Sequence, residues 1–86
     1  MKDIAFIIDK EELLDKLSEL DEIMDEEREI VSDTIAHAFR EEKVENGEKI
    51  EEYTAFDEDG NKLFEFEVYV DRNELGFSSF EAPDEY

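Results

Sequence analysis

The chain has 86 residues, room for one domain and a modest hydrophobic core. It has no cysteine, which excludes disulfide staples and thiolate metal sites, and no apolar run near the roughly 18 residues of a membrane span. Against 29 Asp and Glu stand 9 Lys and Arg, a net charge of −20. That charge repels nucleic acid and anionic membrane surfaces and favours strongly basic protein surfaces.

High charge alone does not make the chain disordered. Hydrophobic residues are 40% of it and fall in periodic patterns, which favours a folded unit. The opening MKDIAFIIDKEE is apolar too briefly, and acidic too soon, for a secretory signal. A soluble cytoplasmic protein is expected, with residues 1–86 as one domain.

Residues 3–8 (DIAFII) read as a short buried strand. Asp9 and Glu12 then form an acidic capping box, with Ile8 and Leu13 at the staple positions, and so open a helix. From Lys10 to Lys43 there is no Gly, Pro or Asn. Leu13, Leu17, Leu20, Met24, Val31, Ile35 and Ala38 keep one phase at 100° per residue, so the segment reads as helical throughout. It is either one rod of about 50 Å or two antiparallel helices broken near residues 21–27, and the second fits a small domain better.

Asn46-Gly47 closes the helical region. Residues 49–56 and 63–70 flank DEDGNK, a loop suited to a hairpin. Phe64, Phe66, Val68 and Val70 alternate with Glu65, Glu67, Tyr69 and Asp71, a half-buried strand of period two. Residues 75–80 make a third, weaker strand, and 81–86 a frayed tail. The expected fold is α+β: an N-terminal strand, one long or two antiparallel helices, then a three-stranded antiparallel β-meander with the helices on one face.

Chemistry-bearing motifs are few. Counted from Asp57, an EF-hand would need Gly and Glu where Lys62 and Val68 stand, so no calcium loop is expected. His37, the single histidine, falls away from the apolar stripe and reads as a surface residue. With one residue in three acidic, carboxylate pairs single out no catalytic acid. No enzyme, metal or cofactor is expected.

The acids are more informative than any motif. On the helical projection Glu11, Asp15, Glu22, Glu26, Glu29 and Asp33 lie together, opposite the core stripe. On the strands, Glu65, Glu67 and Asp71 share a face, joined by Glu51. Like charges four residues apart, as in Glu11/Asp15 and Glu29/Asp33, destabilise a helix by a few tenths of a kcal/mol each, and a face that accepts several such penalties suggests use. In a globule about 30 Å across, 20 net charges come to about one per 1.5 Å, against one per roughly 1.7 Å of duplex DNA.

In size and charge the chain resembles the small acidic DNA-mimic inhibitors of phages and mobile elements, including anti-CRISPR proteins, anti-restriction proteins and uracil-DNA glycosylase inhibitors. The resemblance covers composition and transfers no residue roles. It implies a protein that fills the basic nucleic-acid-binding groove of a nuclease or effector with fixed carboxylates. The alternatives are an immunity protein or antitoxin for a basic toxin, anchored by exposed Tyr53, Tyr69, Phe77 or Phe80, and an acidic housekeeping domain with no inhibitory role.

Overall fold

Alternation of Phe64, Phe66 and Val68 with Glu65 and Glu67 builds a strand with one apolar face, and that strand lies within a five-stranded antiparallel sheet. The computed structural model describes residues 4–20 and 23–80. In chain order the elements are β1 (Ile4–Ile8), α1 (Lys10–Glu19), α2 (Asp25–Thr34), β2 (His37–Glu45), β3 (Glu48–Phe56), β4 (Lys62–Tyr69) and β5 (Glu74–Ser78). The strands lie in sequence order, each antiparallel to the next.

The fold is α+β, but the expected three-stranded meander after the helices is wrong. It has four strands, and with β1 the sheet has five. The strand missing from the sequence reading is β2. By sequence HAFREEKVE falls in the helical region, because Ala38 is in phase with the helix stripe and Glu, Lys and Arg form helices well. Tertiary pairing overrides that propensity. Ile4 to Ile8 on one side and Glu48 to Phe56 on the other supply β2 with two ladders of backbone partners.

The turn after β2 shows how the strand is held. Asn46 and Gly47 have φ of 51° and 80°, so a two-residue loop with both central residues left-handed joins β2 to β3. Asn-Gly closes a hairpin here, not a helix. At the other end Ala36 donates its N–H to the Phe56 carbonyl at 2.8 Å, extending the ladder back towards α2.

The helical region is two helices. Lys10 at the start of α1 donates to the Ser32 carbonyl near the end of α2, at 2.9 Å, and Arg28 reaches Glu11, Asp15 and Ser18. Those contacts make the pair antiparallel. Asp9 stands at the N-cap of α1 but makes no side-chain cap bond, and Glu12 turns to Arg40 instead, so the acidic capping box does not form. The working cap is on α2, where Glu27 accepts the Met24 N–H at 3.0 Å.

Leu13, Leu14 and Leu17 of α1, Ile23, Val31 and Ile35 pack on Ala38, Tyr53, Ala55, Phe64, Phe66 and Val68. Tyr53 and Phe66 stack at 4.9 Å between centroids as direct cross-strand partners. Met24, expected in the core, is 69% exposed, because the helix break gives Ile23 the buried position instead. The helices cover one face of the sheet, and no described helix lies on the other.

Candidate binding surfaces

The helical acids do not form one line, because the chain reverses between α1 and α2. Glu11 and Asp15 point at α2, where the Arg28 Nη2 donates to both at 2.9 and 2.6 Å. These neighbouring carboxylates keep the guanidinium proton more firmly held than usual, Asp15 most of all. Glu26, Glu29 and Asp33 lie exposed on α2. Glu22 falls outside the described residues. The expected stripe is thus split, and its first part shares one guanidinium between two carboxylates.

The strand acids also divide. Glu51 is opposite Val68 in register and so lies on the helix-side face, where it accepts the Tyr53 hydroxyl at 3.0 Å. Burial, then Glu51, hold the Tyr53 proton on well above the ordinary tyrosine range. Asp71 sits exposed in the turn between β4 and β5. Glu65 and Glu67 do share the helix-free face.

Two acids that the sequence reading passed over complete that face. Register pairs Glu41 with Glu52, and Glu52 with Glu67. Three glutamates therefore run straight across β2, β3 and β4, one per strand, at the roughly 4.8 Å strand spacing. Ala5 begins the row on β1 and Phe77 ends it on β5. Sequence alternation contains the signal for Glu52, since it lies one residue from Glu51 and two from Thr54. Glu41 was hidden by the helical reading of β2.

Lys43 bonds Glu67 at 2.7 Å and Lys62 bonds Glu65 at 2.8 Å, while Glu41 and Glu52 have no ion pair among the described residues. Burial raises the Glu52 pKa first. Lys43 opposes that shift, and Glu65, Glu41 and Glu67 add like-charge repulsion. This is a crowded anionic face with few cations to relieve it. Every Arg among the described residues, and every Lys except Lys10, is already in an ion pair.

Apolar groups flank the acids. Ile7, opposite Phe39 on the same face, is 82% exposed, and Phe77 is 51% exposed. Phe39 and Phe56 meet edge to face at 5.5 Å. Of the expected aromatic anchors, Phe77 is open. Tyr53 is buried in the core, Phe80 packs on Phe64 at 4.9 Å, and Tyr69 lies under the Arg72 guanidinium at 4.3 Å.

The remaining candidates carry structure rather than chemistry. Asp57 turns its carboxylate onto its own loop, accepting the N–H groups of Asp59 and Asn61 at 2.9 Å each, and those bonds, chiefly Asn61's, hold its pKa down. Among the described residues no group of three or more His, Asp or Glu is placed to hold a metal ion. His37 is exposed at the start of β2. No helix among the described residues is long and apolar enough to cross a membrane.

The geometry defines an acidic α+β protein whose sheet has one face packed under a helical hairpin and one face bearing carboxylates. No protein-family model, curated protein or solved structure matches the chain.

Proposed function

We propose that this protein is an inhibitor that imitates nucleic acid, placing its helix-free sheet face in the basic groove of a nuclease or effector. The observation that supports this most directly is the cross-strand row Glu41, Glu52 and Glu67. Its carboxylates are carried on hydrogen-bonded strands, so little ordering cost falls on binding. Their spacing of about 4.8 Å is of the same order as the 3.4 Å per phosphate along one nucleic-acid strand. Opposite charge on the two partners accelerates their encounter and makes it salt-dependent.

The proposal shifts the binding surface from the helices to the sheet. Glu11 and Asp15 belong to the helical side, away from the row, where they hold α2 in place through Arg28. Glu65 and Glu67 stay in the surface, joined by Glu41 and Glu52.

The test is displacement of a fluorescent oligonucleotide from a panel of unrelated proteins with basic grooves: a ribonuclease, a restriction endonuclease and a CRISPR effector. The protein is expected to displace it at low salt and to lose at least about tenfold in apparent affinity on moderate salt, as phosphate-directed binding does. Glu41→Gln, Glu52→Gln and Glu67→Gln together are expected to abolish displacement, and Glu11→Gln with Asp15→Asn to leave it. No displacement at low salt from any of the panel sinks the reading.

A second reading is favoured by exposed Ile7 and Phe77 beside the acids. In it the protein neutralises one cognate basic toxin, with the apolar groups as anchors. Binding to a single partner that survives high salt, and fails with Phe77→Ala, distinguishes it from mimicry.

A further inference from the structure

β1 is an edge strand without the usual protection. It pairs with β2 on one side, and no described residue pairs with the other. Edge strands normally carry Lys or Pro, bulge, or lie under other chain segments, because a bare row of backbone N–H and C=O groups recruits further strands. β1 reads IAFII, with no charge, no Pro and no register shift against β2. Phe6 and Ile7 are both exposed. High β-propensity without charge is also the composition that aggregates when left uncovered.

The opposite edge is protected in several of these ways. β5 carries Glu74 and Gly76, and its pairing with β4 shifts between Glu67 and Val68. Gly76 lies so close to the Tyr69 ring that an added Cβ would stand 2.7 Å from it. The asymmetry between the two edges marks β1 as the open one.

We propose that β1 is a strand-addition site, occupied by an extended segment of a basic partner protein. Deepening the inhibitor reading, it rests on that reading for the partner's charge. Backbone groups of β1 supply the ladder. Ala5 and Ile7 on one face, with Phe6 and Ile8 on the other, ask for small or β-branched residues at alternating positions of the incoming strand. Glu41, next to Ala5 in register and in no ion pair among the described residues, and Asp9 just beyond β1 ask for flanking Lys or Arg. Arg40, opposite Phe6 in register, is already engaged: it lies over the Phe6 ring at 5.2 Å and is bound to Glu12 at 2.6 Å.

A second copy of this chain is the wrong occupant. Joining β1 to β1 would bring two bodies of −20 each within the roughly 8 Å Debye length at physiological salt. A positively charged strand gains from the same field that repels a copy.

The experiment titrates the isotope-labelled full chain with a synthetic nine-residue peptide, Lys-Val-Thr-Val-Lys-Val-Thr-Val-Lys, and follows amide shifts and hydrogen exchange. A second peptide of the same sequence, N-methylated at alternate residues, removes the ladder donors but keeps the charge. The first peptide is expected to shift the amides of residues 4–8 and slow their exchange. The methylated one is expected to bind at least about tenfold more weakly, since it cannot donate the ladder's backbone bonds. Ile7→Lys in the protein, the usual edge-protecting charge, is expected to abolish the exchange effect while leaving the fold's other amides unchanged.

Equal binding of the two peptides, no effect at residues 4–8, or a protein that dimerises through β1 before peptide is added would each overturn the proposal. The variant with Gln at positions 41, 52 and 67 separates the two readings. If it loses oligonucleotide displacement but keeps protection of residues 4–8, the surfaces act independently. If the wild type displaces nothing yet protects residues 4–8, the inhibitor reading alone fails.

Discussion

Arg28 decides what Glu11 and Asp15 of α1 do. It ties Glu11, Asp15 and Ser18 to α2, so Arg28→Ala is expected to lower stability by about 1 kcal/mol in urea unfolding, the upper range for half-exposed ion pairs. Glu52 and Asp57 set opposite pH limits. The Glu52 pKa is raised in the fold, so its contribution is fully present below its ordinary value of 4.5 and is lost as pH rises through the folded value. The Asp57 pKa is lowered, so its contribution is present above its ordinary 3.8 and lost as pH falls through the folded value. The thermal midpoint is therefore expected to rise as pH is lowered from neutral towards 4.5 and to fall again below 3.8. Glu52→Gln is expected to flatten the upper limb and leave the lower one. The roles of individual acids were only partly legible. Alternation placed Glu65 and Glu67 together, but the partner of a carboxylate is set by elements distant in sequence, as Arg28 shows for Asp15.

At the scale of elements, the hairpins depend on backbone that few residues adopt. Gly47→Val places a β-branched residue at φ 80° and is expected to cost about 1–3 kcal/mol, read as a lower urea midpoint with the unfolding slope unchanged. The DEDGNK loop and the strands at 48–56 and 62–69 were legible, because aromatic and β-branched residues alternate there between turn residues. The antiparallel helix pair was legible as the option that fits a small domain. β2 was not, since four of its nine residues are Glu or Lys after Arg40 and its apolar positions are only Ala38, Phe39 and Val44. Its conformation comes from β1 and β3 on either side. A strand of this kind is recognised by its neighbours, and Asn46-Gly47 was the local clue that it ended in a hairpin.

Over the whole molecule, charge opposes compaction. The longest axis is 41 Å, so −20 amounts to about one charge per 2 Å, sparser than the one per roughly 1.7 Å of duplex DNA and than the sequence estimate for a rounder body. Raising sodium chloride from about 20 mM, where the Debye length exceeds 20 Å, to about 0.5 M is expected to raise the thermal midpoint by about 5 °C, seen by circular dichroism. An unchanged midpoint would show the acids to be too dispersed to repel one another. The order of strands also sets a folding sequence. β2 to β5 are joined by short turns, so successive hairpins zip with little loop-closure entropy, whereas β1 reaches β2 only after the entire helical hairpin has been laid down between them. The nucleus is therefore expected in the meander, with the N-terminal strand docking last. Substitutions in β3 and β4 should slow refolding, while those in β1 should act mainly by hastening unfolding.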